Sequence, residues 1–286
     1  MTSLPSQIFR FAPSPSGHLH LGHAYSALFS WTQAQKHNAQ FILRIEDIDT
    51  TRCRKEYADA IYEDLSWLGL NWTKPPRIQS EHTEDYDQAL IKLKEQDLLY
   101  PCFCTRKDIQ NEVRQSNRAP HGPDGLIYPG TCKNLSLSQR EERIAQGESY
   151  ALRLNMARAR TLTGELYWLD EREGNIKATP EIFGDVVLAR KDIHTSYHLS
   201  VTVDDALQNI SCITRGTDLF EATHIHRLLQ AVLKLPVPTW HHHELIHDEE
   251  GNRLAKRHNS LAIRELRGQG KSPEDIKEMV GIKNLS

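Results

Sequence analysis

No apolar run in this 286-residue sequence approaches the roughly 20 residues that a membrane-spanning helix needs, so no transmembrane helix is expected. The opening MTSLPSQIFRF lacks the basic flank and apolar core of a secretory signal, and a cytoplasmic location is expected. Cysteine is scarce: five residues, an odd number with uneven spacing, make a poor disulfide framework and fit a reducing compartment. Charge bias is missing too, with 35 Lys and Arg against 38 Asp and Glu, a formal −3. A nucleic-acid partner would therefore have to meet a local basic patch. There is no internal repeat and no long low-complexity linker. What remains is a chain of mean hydropathy −0.57, long enough for one or two domains with a substantial core.

The apolar pattern alternates between strand and helix periods in the first hundred residues. Residues 7–11 and 40–45 read as strands; residues 24–36, 54–68 and 83–99 read as helices, the second ending near Gly69. That β-α-β-α-α order predicts an α/β fold with a parallel sheet. Residues 100–162 differ, holding three of the cysteines and a Gly/Pro-rich loop, and read as an insertion. After it, 185–190 and 200–203 read as strands, the second leading into a helix near Asp204. Residues 221–235 read as a helix and 244–247 as a strand followed by a turn at 248–251. Two short helices, parted near Gly268 and Gly270, are expected beyond Leu261.

The stretch FAPSPSGHLHLGH, residues 11–23, carries two prolines, two glycines and three histidines between the first strand and first helix. A strand, a Gly-containing turn and a helix N-terminus together suit phosphate, because free N–H groups and the helix dipole meet there. His20 and His23, three apart, can share one side of the first turn and donate to phosphate oxygens as charge develops. The Gly-Lys-Ser/Thr ending of a Walker A loop is absent. Two alternatives stand beside this reading: a Pro-rich turn with satisfied surface histidines, and a metal held by His18, His20 and His23.

His20-Leu21-Gly22-His23 resembles the HIGH signature of class I aminoacyl-tRNA synthetases, and RFAPSPSG at 10–17 resembles the glutamyl-tRNA synthetase group. RLAKR at 253–257 resembles the second signature, KMSKS. ILRIEDID, SYHLSVTVDDAL and ITRGTDLFEAT fall between them in the family's order. Only residues 261–286 follow Ser260, too few for another domain, so the chain is most similar to the truncated glutamyl-Q tRNA(Asp) synthetase family, which lacks an anticodon-binding domain.

This resemblance implies a Rossmann-type catalytic domain in two halves, 1–99 and 163–260, with a zinc-binding subdomain inserted at 100–162 and a helical tail at 261–286. It implies ATP-dependent activation of L-glutamate and transfer to the cyclopentenediol of queuosine in tRNA(Asp), by a monomer, with Mg²⁺ accompanying ATP. The catalytic residues would be His20, His23 and Lys256. ATP would meet Gly17, His20, Gly22, His23 and Lys256, and glutamate would meet Arg10, Ser14, Glu46, Tyr197 and Arg215. Two arginines suit two carboxylates, and Glu46 suits the ammonium. Within the second signature Ala255 removes a hydroxyl and Arg257 replaces the final serine, while Lys256 is kept.

Cys102, Cys104 and Cys132 supply thiolates of the kind zinc takes. The resemblance implies Tyr128 as fourth ligand of a structural zinc, with His121 an alternative. Cys53 and Cys212 read as unpaired thiols. The run His241-His242-His243, followed by His247, sits in an apparent strand that would leave His241 and His243 on one face; structure or RNA contact fits it better than metal. Arg153, Arg158, Arg160 and the six Lys/Arg within 253–271 are candidate phosphate contacts.

Two other functions fit parts of the sequence. An ordinary glutamyl-tRNA synthetase would charge a tRNA 3′ end, and the identity of the accepting RNA separates it from the first reading. A catalytically silent zinc-bearing tRNA-binding protein would show no glutamate-dependent ATP–pyrophosphate exchange.

Overall fold

A computed structural model describes residues 7–115, 121–246 and 262–282. In chain order the elements are β1 (Ile8–Phe11), α1 (Leu21–Lys36), β2 (Gln40–Ile45), α2 (Lys55–Trp67), β3 (Arg77–Ile78), α3 (Thr83–Glu95) and β4 (Leu99–Cys102). Then come α4 (Arg106–Gln115), β5 (His121–Gly122), β6 (Gly125–Leu126), α5 (Leu137–Ala145), β7 (Ala151–Leu154), α6 (Met156–Thr163), β8 (Tyr167–Asp170), β9 (Gly174–Lys177) and β10 (Val187–Ala189). The series closes with α7 (Tyr197–Leu207), β11 (Cys212–Gly216), α8 (Ala222–Leu233), β12 (Thr239–His243), α9 (Ile263–Gly268) and α10 (Pro273–Met279).

β1, β2 and β3 form a parallel sheet in that order, and β11, β12 and β8 form a second parallel set that β9 extends as an antiparallel edge. β11 starts beside β1, where the Ser211 N–H donates to the Ile8 carbonyl at 3.0 Å. The strands therefore run outward from β1 on one side and from β11 on the other. All four residues of β1 are buried, as are four of the five in β11, without the buried/exposed alternation of a half-covered strand, as befits parallel strands covered on both faces. α1 lies against β1 and β2 through Ala24, Ala27, Leu28 and Ala34, the three alanines permitting a close helix–sheet approach. Trp168 and Trp240 pack edge to face at 5.5 Å in the other core cluster.

A separate sheet is antiparallel, in the order β4-β7-β10. Its small core of Tyr100, Phe103, Tyr128 and the cysteines is distinct from the two main clusters.

Three local expectations need correction. Residues 200–203 are helical, inside α7, despite Val201-Thr202-Val203. Ser196 caps that helix through Leu199 N–H, and every residue from His198 to Asp205 is buried, so packing overrides the β-branched preference. The third helix ends at Glu95 and Leu99 is already in β4, because Asp97 takes a left-handed turn at φ 56°. The strand expected at 244–247 lies earlier, at Thr239–His243, in register with β11. Gly69, at φ +80°, follows α2 as anticipated.

Candidate active site

A cleft of about 300 Å³ opens at the C-terminal ends of β1 and β11. Arg10 and Phe11 end one strand, and Arg215 and Gly216 end the other. Between them the direction of strand addition reverses, and that crevice is where open parallel sheets bind ligands. The loop leaving β1 leads into the N-terminus of α1, which forms one wall.

The first turn of α1 caps itself with its own imidazoles. His20 Nδ1 accepts from the Gly22 N–H at 3.1 Å, and His23 Nδ1 accepts from the His20 N–H at 3.2 Å. The rings stand 3.8 Å apart. With Nδ1 accepting, each neutral ring carries its proton on Nε2. The motif thereby satisfies two of the helix's orphan N–H groups and fixes which ring nitrogen can donate outward.

Charged groups fill the floor. Asp205 accepts from Arg10 Nε at 3.0 Å and from Arg44 Nη1 at 2.8 Å. Arg44 also reaches Glu46 Oε1 through Nη2 at 3.0 Å. Burial alone would lower the Arg44 guanidinium, but Asp205, Glu46 and Asp204 more than offset that and hold it charged. Burial pushes the Glu46 carboxyl up, against the pull of Arg44 and Arg10. Both Arg44 contacts fall on Oε1 of Glu46, and the residue lines the cleft. Arg10 spends a further N–H on the Thr214 carbonyl. Two guanidiniums and two carboxylates here balance one another.

Arg215 is different. Its Nε donates to His242 Nε2 at 3.1 Å, Nη1 to His226 Nδ1 at 3.2 Å and Nη2 to Thr223 Oγ1 at 2.5 Å. Tyr197 is a further neutral neighbour. His242 Nδ1 in turn donates to Asp170 Oδ2 at 2.7 Å, which keeps its Nε2 an acceptor. Burial pushes the His242 imidazole down to about 4, with Arg215 adding to the effect. This buried guanidinium has neutral hydrogen-bonded partners, with Asp205 attracting it only from beyond hydrogen-bonding distance, and it lines a cleft that could admit a carboxylate.

The cleft thus gathers Arg10, Ser14, His20, Gly22, His23, Glu46, Tyr197 and Arg215 from four stretches of sequence. Gly17 sits in the bend before α1 and does not line it. Residues 253–257, including Lys256, lie outside the described residues, as does His247. A larger cavity of about 720 Å³ adjoins, sharing Ser14, Glu46, Tyr197, Asp218 and Leu219 with the first.

Sequence reasoning passed over Arg44, Asp205 and His226, and took His242 only as part of the histidine run 241–243. A lone arginine inside the apolar run QFILRI, and an Asp pair inside the apolar stretch of α7, are the signals that could have found the first two. His241 and His243 do share a face, both against Phe29; His241 pairs with Glu171 and His243 with Ser26. Arg153 is no surface cation: it stacks 3.9 Å over the Tyr128 ring and donates to the Asp185 carbonyl.

Away from the cleft, the sulfurs of Cys102, Cys104 and Cys132 lie within 4.8 Å of one another. Tetrahedral zinc with Zn–S near 2.3 Å would hold sulfurs roughly 3.8 Å apart, so the set fits. The Tyr128 hydroxyl joins them, 3.6 Å from Cys104 Sγ and accepting from the Cys132 N–H at 2.8 Å. His121 is exposed on the β5–β6 hairpin and, among the described residues, no imidazole enters the cluster. Cys53 and Cys212 are free thiols. No described helix is long and apolar enough to cross a membrane.

The model for class I tRNA synthetases (E and Q), catalytic domain, matches residues 8–283. A relative from Rhodobacter capsulatus, the glutamyl-Q tRNA(Asp) synthetase, is 44% identical over 280 residues, covering 96% of this chain and all of its own length. A protein of the same name from Symbiobacterium thermophilum is 39% identical, covering 93% of this chain and 83% of its own. The crystal structure of the glutamate-tRNA synthetase of Elizabethkingia anophelis superposes with a TM-score of 0.76 at 25% identity, over 93% of this chain. The present chain spans about half the length of that synthetase, 54%.

Proposed function

The chain belongs to the class I tRNA synthetases of the glutamate and glutamine type, and from that premise we propose that it activates L-glutamate with ATP and transfers the glutamyl group to queuosine in tRNA(Asp). The observation that carries the glutamate reading is Arg215: a buried guanidinium on neutral partners, in a cleft that also holds Glu46 and the histidine-capped start of α1. The names of the two relatives described above support queuosine as the acceptor.

In the first step a glutamate carboxylate oxygen attacks the α-phosphorus of ATP. A P–O bond forms to the carboxylate, the bond to the β-phosphate oxygen breaks, and pyrophosphate leaves. No protein nucleophile is required, so positioning and electrostatics carry the catalysis. Arg215 takes one substrate carboxylate, Glu46 faces the ammonium, and Ser14 and Tyr197 complete the pocket. Arg10, tied to Asp205 and the Thr214 carbonyl, lines the pocket with its charge already balanced. His20 and His23 present Nε2–H donors beside the α1 N-terminus toward the phosphates, with Lys256 as the cation for the leaving group. In the second step a ring hydroxyl of the acceptor attacks the activated carbonyl; an ester forms, AMP leaves, and the hydroxyl proton passes to the released phosphate or to solvent.

Magnesium bound with ATP would screen phosphate charge. A zinc held by Cys102, Cys104, Cys132 and Tyr128 would tie the start of the inserted segment to its middle and take no part in the chemistry.

The test is incubation with ATP, magnesium and labelled glutamate, comparing tRNA(Asp) with and without queuosine. Label confined to the queuosine-bearing RNA, and surviving removal of its 3′ end, is the expected result. Label lost with the 3′ end means ordinary charging and overturns the acceptor assignment. Absence of glutamate-dependent pyrophosphate exchange overturns the enzyme reading.

A further inference from the structure

Asp124 stands at the turn of the β5–β6 hairpin with its side chain 64% exposed, yet it ends a chain of hydrogen bonds that begins at buried Arg215. Arg215 Nη1 meets His226 Nδ1 at 3.2 Å, His226 Nε2 meets His198 Nδ1 at 3.2 Å, and His198 Nε2 meets Asp124 Oδ2 at 3.0 Å. Its ends fix its direction. A guanidinium only donates, and an ionised carboxylate only accepts. His226 Nδ1 must therefore accept, which puts that ring's proton on Nε2. His198 Nδ1 must accept in turn, which puts its proton on the Nε2 that faces Asp124. A change of tautomer at any ring would set two donors, or two acceptors, against each other.

We infer that Asp124 is a positioning residue for Arg215: from the hairpin it holds the tautomers of His198 and His226, and through them the guanidinium that takes the substrate carboxylate. The inference rests on the glutamate reading of Arg215. A second arm, Asp170 and His242, steadies the same guanidinium from within the core. The Asp124 arm is distinct because it depends on the hairpin staying docked. That docking is tight. A Cβ on Gly122 would lie 2.5 Å from the Ile182 carbonyl oxygen, and one on Gly184 would lie 2.6 Å from Ile127 Cγ2. Pro123, Asp124 and His198 also line the larger cavity, so the chain joins that cavity to the glutamate site.

The experiment measures glutamate-dependent ATP–pyrophosphate exchange in the full-length protein. Asp124→Ala should raise the glutamate KM about fivefold, a modest figure because one end of the chain is exposed. The KM for ATP and kcat should stay within about twofold. Asp124→Asn, whose amide oxygen can still accept from His198, should recover most of the loss. His198→Leu breaks the chain without touching the turn and should match Asp124→Ala. Gly122→Ala pushes the hairpin off its seat, and combining it with Asp124→Ala should add nothing further. An unchanged glutamate KM in Asp124→Ala and His198→Leu, or an Asn variant as impaired as Ala, overturns the inference while leaving the functional reading intact. A wild-type protein without glutamate-dependent exchange overturns both.

Discussion

Arg44 Nη1 lies 2.8 Å from Asp205 Oδ1, with the arginine side chain wholly buried and the aspartate 5% exposed. The same guanidinium holds Glu46 and approaches Asp204 at 3.8 Å. Removing one partner from a buried charge cluster leaves the others without a counter-ion, and that costs more than the pair itself contributes. Arg44→Met should therefore destabilise the fold by about 3–5 kcal/mol, a large share of the ~5–15 kcal/mol typical of a domain. Urea unfolding at pH 7 measures it. A loss below about 1 kcal/mol, the range of exposed pairs, would show that these charges are not held as a buried cluster.

Arg215 makes three directed hydrogen bonds that only a planar guanidinium can make together. Arg215→Lys keeps the charge and loses the geometry. The glutamate KM should rise by roughly a hundredfold, with the KM for ATP little changed. Steady-state exchange kinetics test this. Equal weakening for both substrates would place the arginine outside the glutamate site.

Acid should loosen the protein before its ordinary carboxylates titrate. His224, His226, His242 and His243 are all held below the usual imidazole range, chiefly by burial, with His242 at about 4. Between the ordinary value near 6.5 and these lowered values the unfolded chain binds protons that the folded chain refuses. Stability is thus full above about pH 6.5 and falls as pH drops, by up to ~1.4 kcal/mol per pH unit for each histidine. Asp64 opposes this: burial raises it to about 6, so it favours the folded state as pH falls from about 6 toward 4. Glu46, also pushed up by burial, acts in the same sense as Asp64, and the four histidines outweigh these two carboxyls. Unfolding midpoints from pH 7.5 to 4.5 should decline throughout, and Asp64→Asn should steepen the decline. A flat profile would contradict burial of neutral imidazoles.

The cysteine cluster makes its own prediction. The purified protein should contain about one zinc per chain, and Cys104→Ser or a strong chelator should remove it. Thermal unfolding should then start earlier, while glutamate-dependent exchange persists, because the cluster lies away from the cleft. Absence of metal from the wild-type protein, together with identical unfolding of the variant, would reduce the cluster to three free thiols.

Much of the site was legible along the chain because it is built from contiguous motifs. The β1 strand, its Pro/Gly turn and the helix start at Leu21 follow from local rules, and they bring Arg10, Ser14, His20 and His23 to one place whatever the rest of the chain does. The helix in α7 was not legible. Val201-Thr202-Val203 prefers strand geometry, and only complete burial against neighbouring elements makes it helical. The hairpin at residues 121–126 was hidden inside a loop, since two-residue strands carry no periodicity.

The sequence by itself determined the α/β order, the residue types that suit a phosphate chain and a diacid, and the thiols that suit a metal, because each depends on neighbours within a few positions. Only the tertiary structure decided which charges balance and which do not. Asp205 is 195 positions from Arg10 and 161 from Arg44, yet it neutralises their field, while Arg215 is left on the neutral faces of His226, His242 and Thr223. The reason is physical: in a low-dielectric interior the charge state of a group is set by whatever packs within hydrogen-bonding distance, and packing distance is not written in sequence distance.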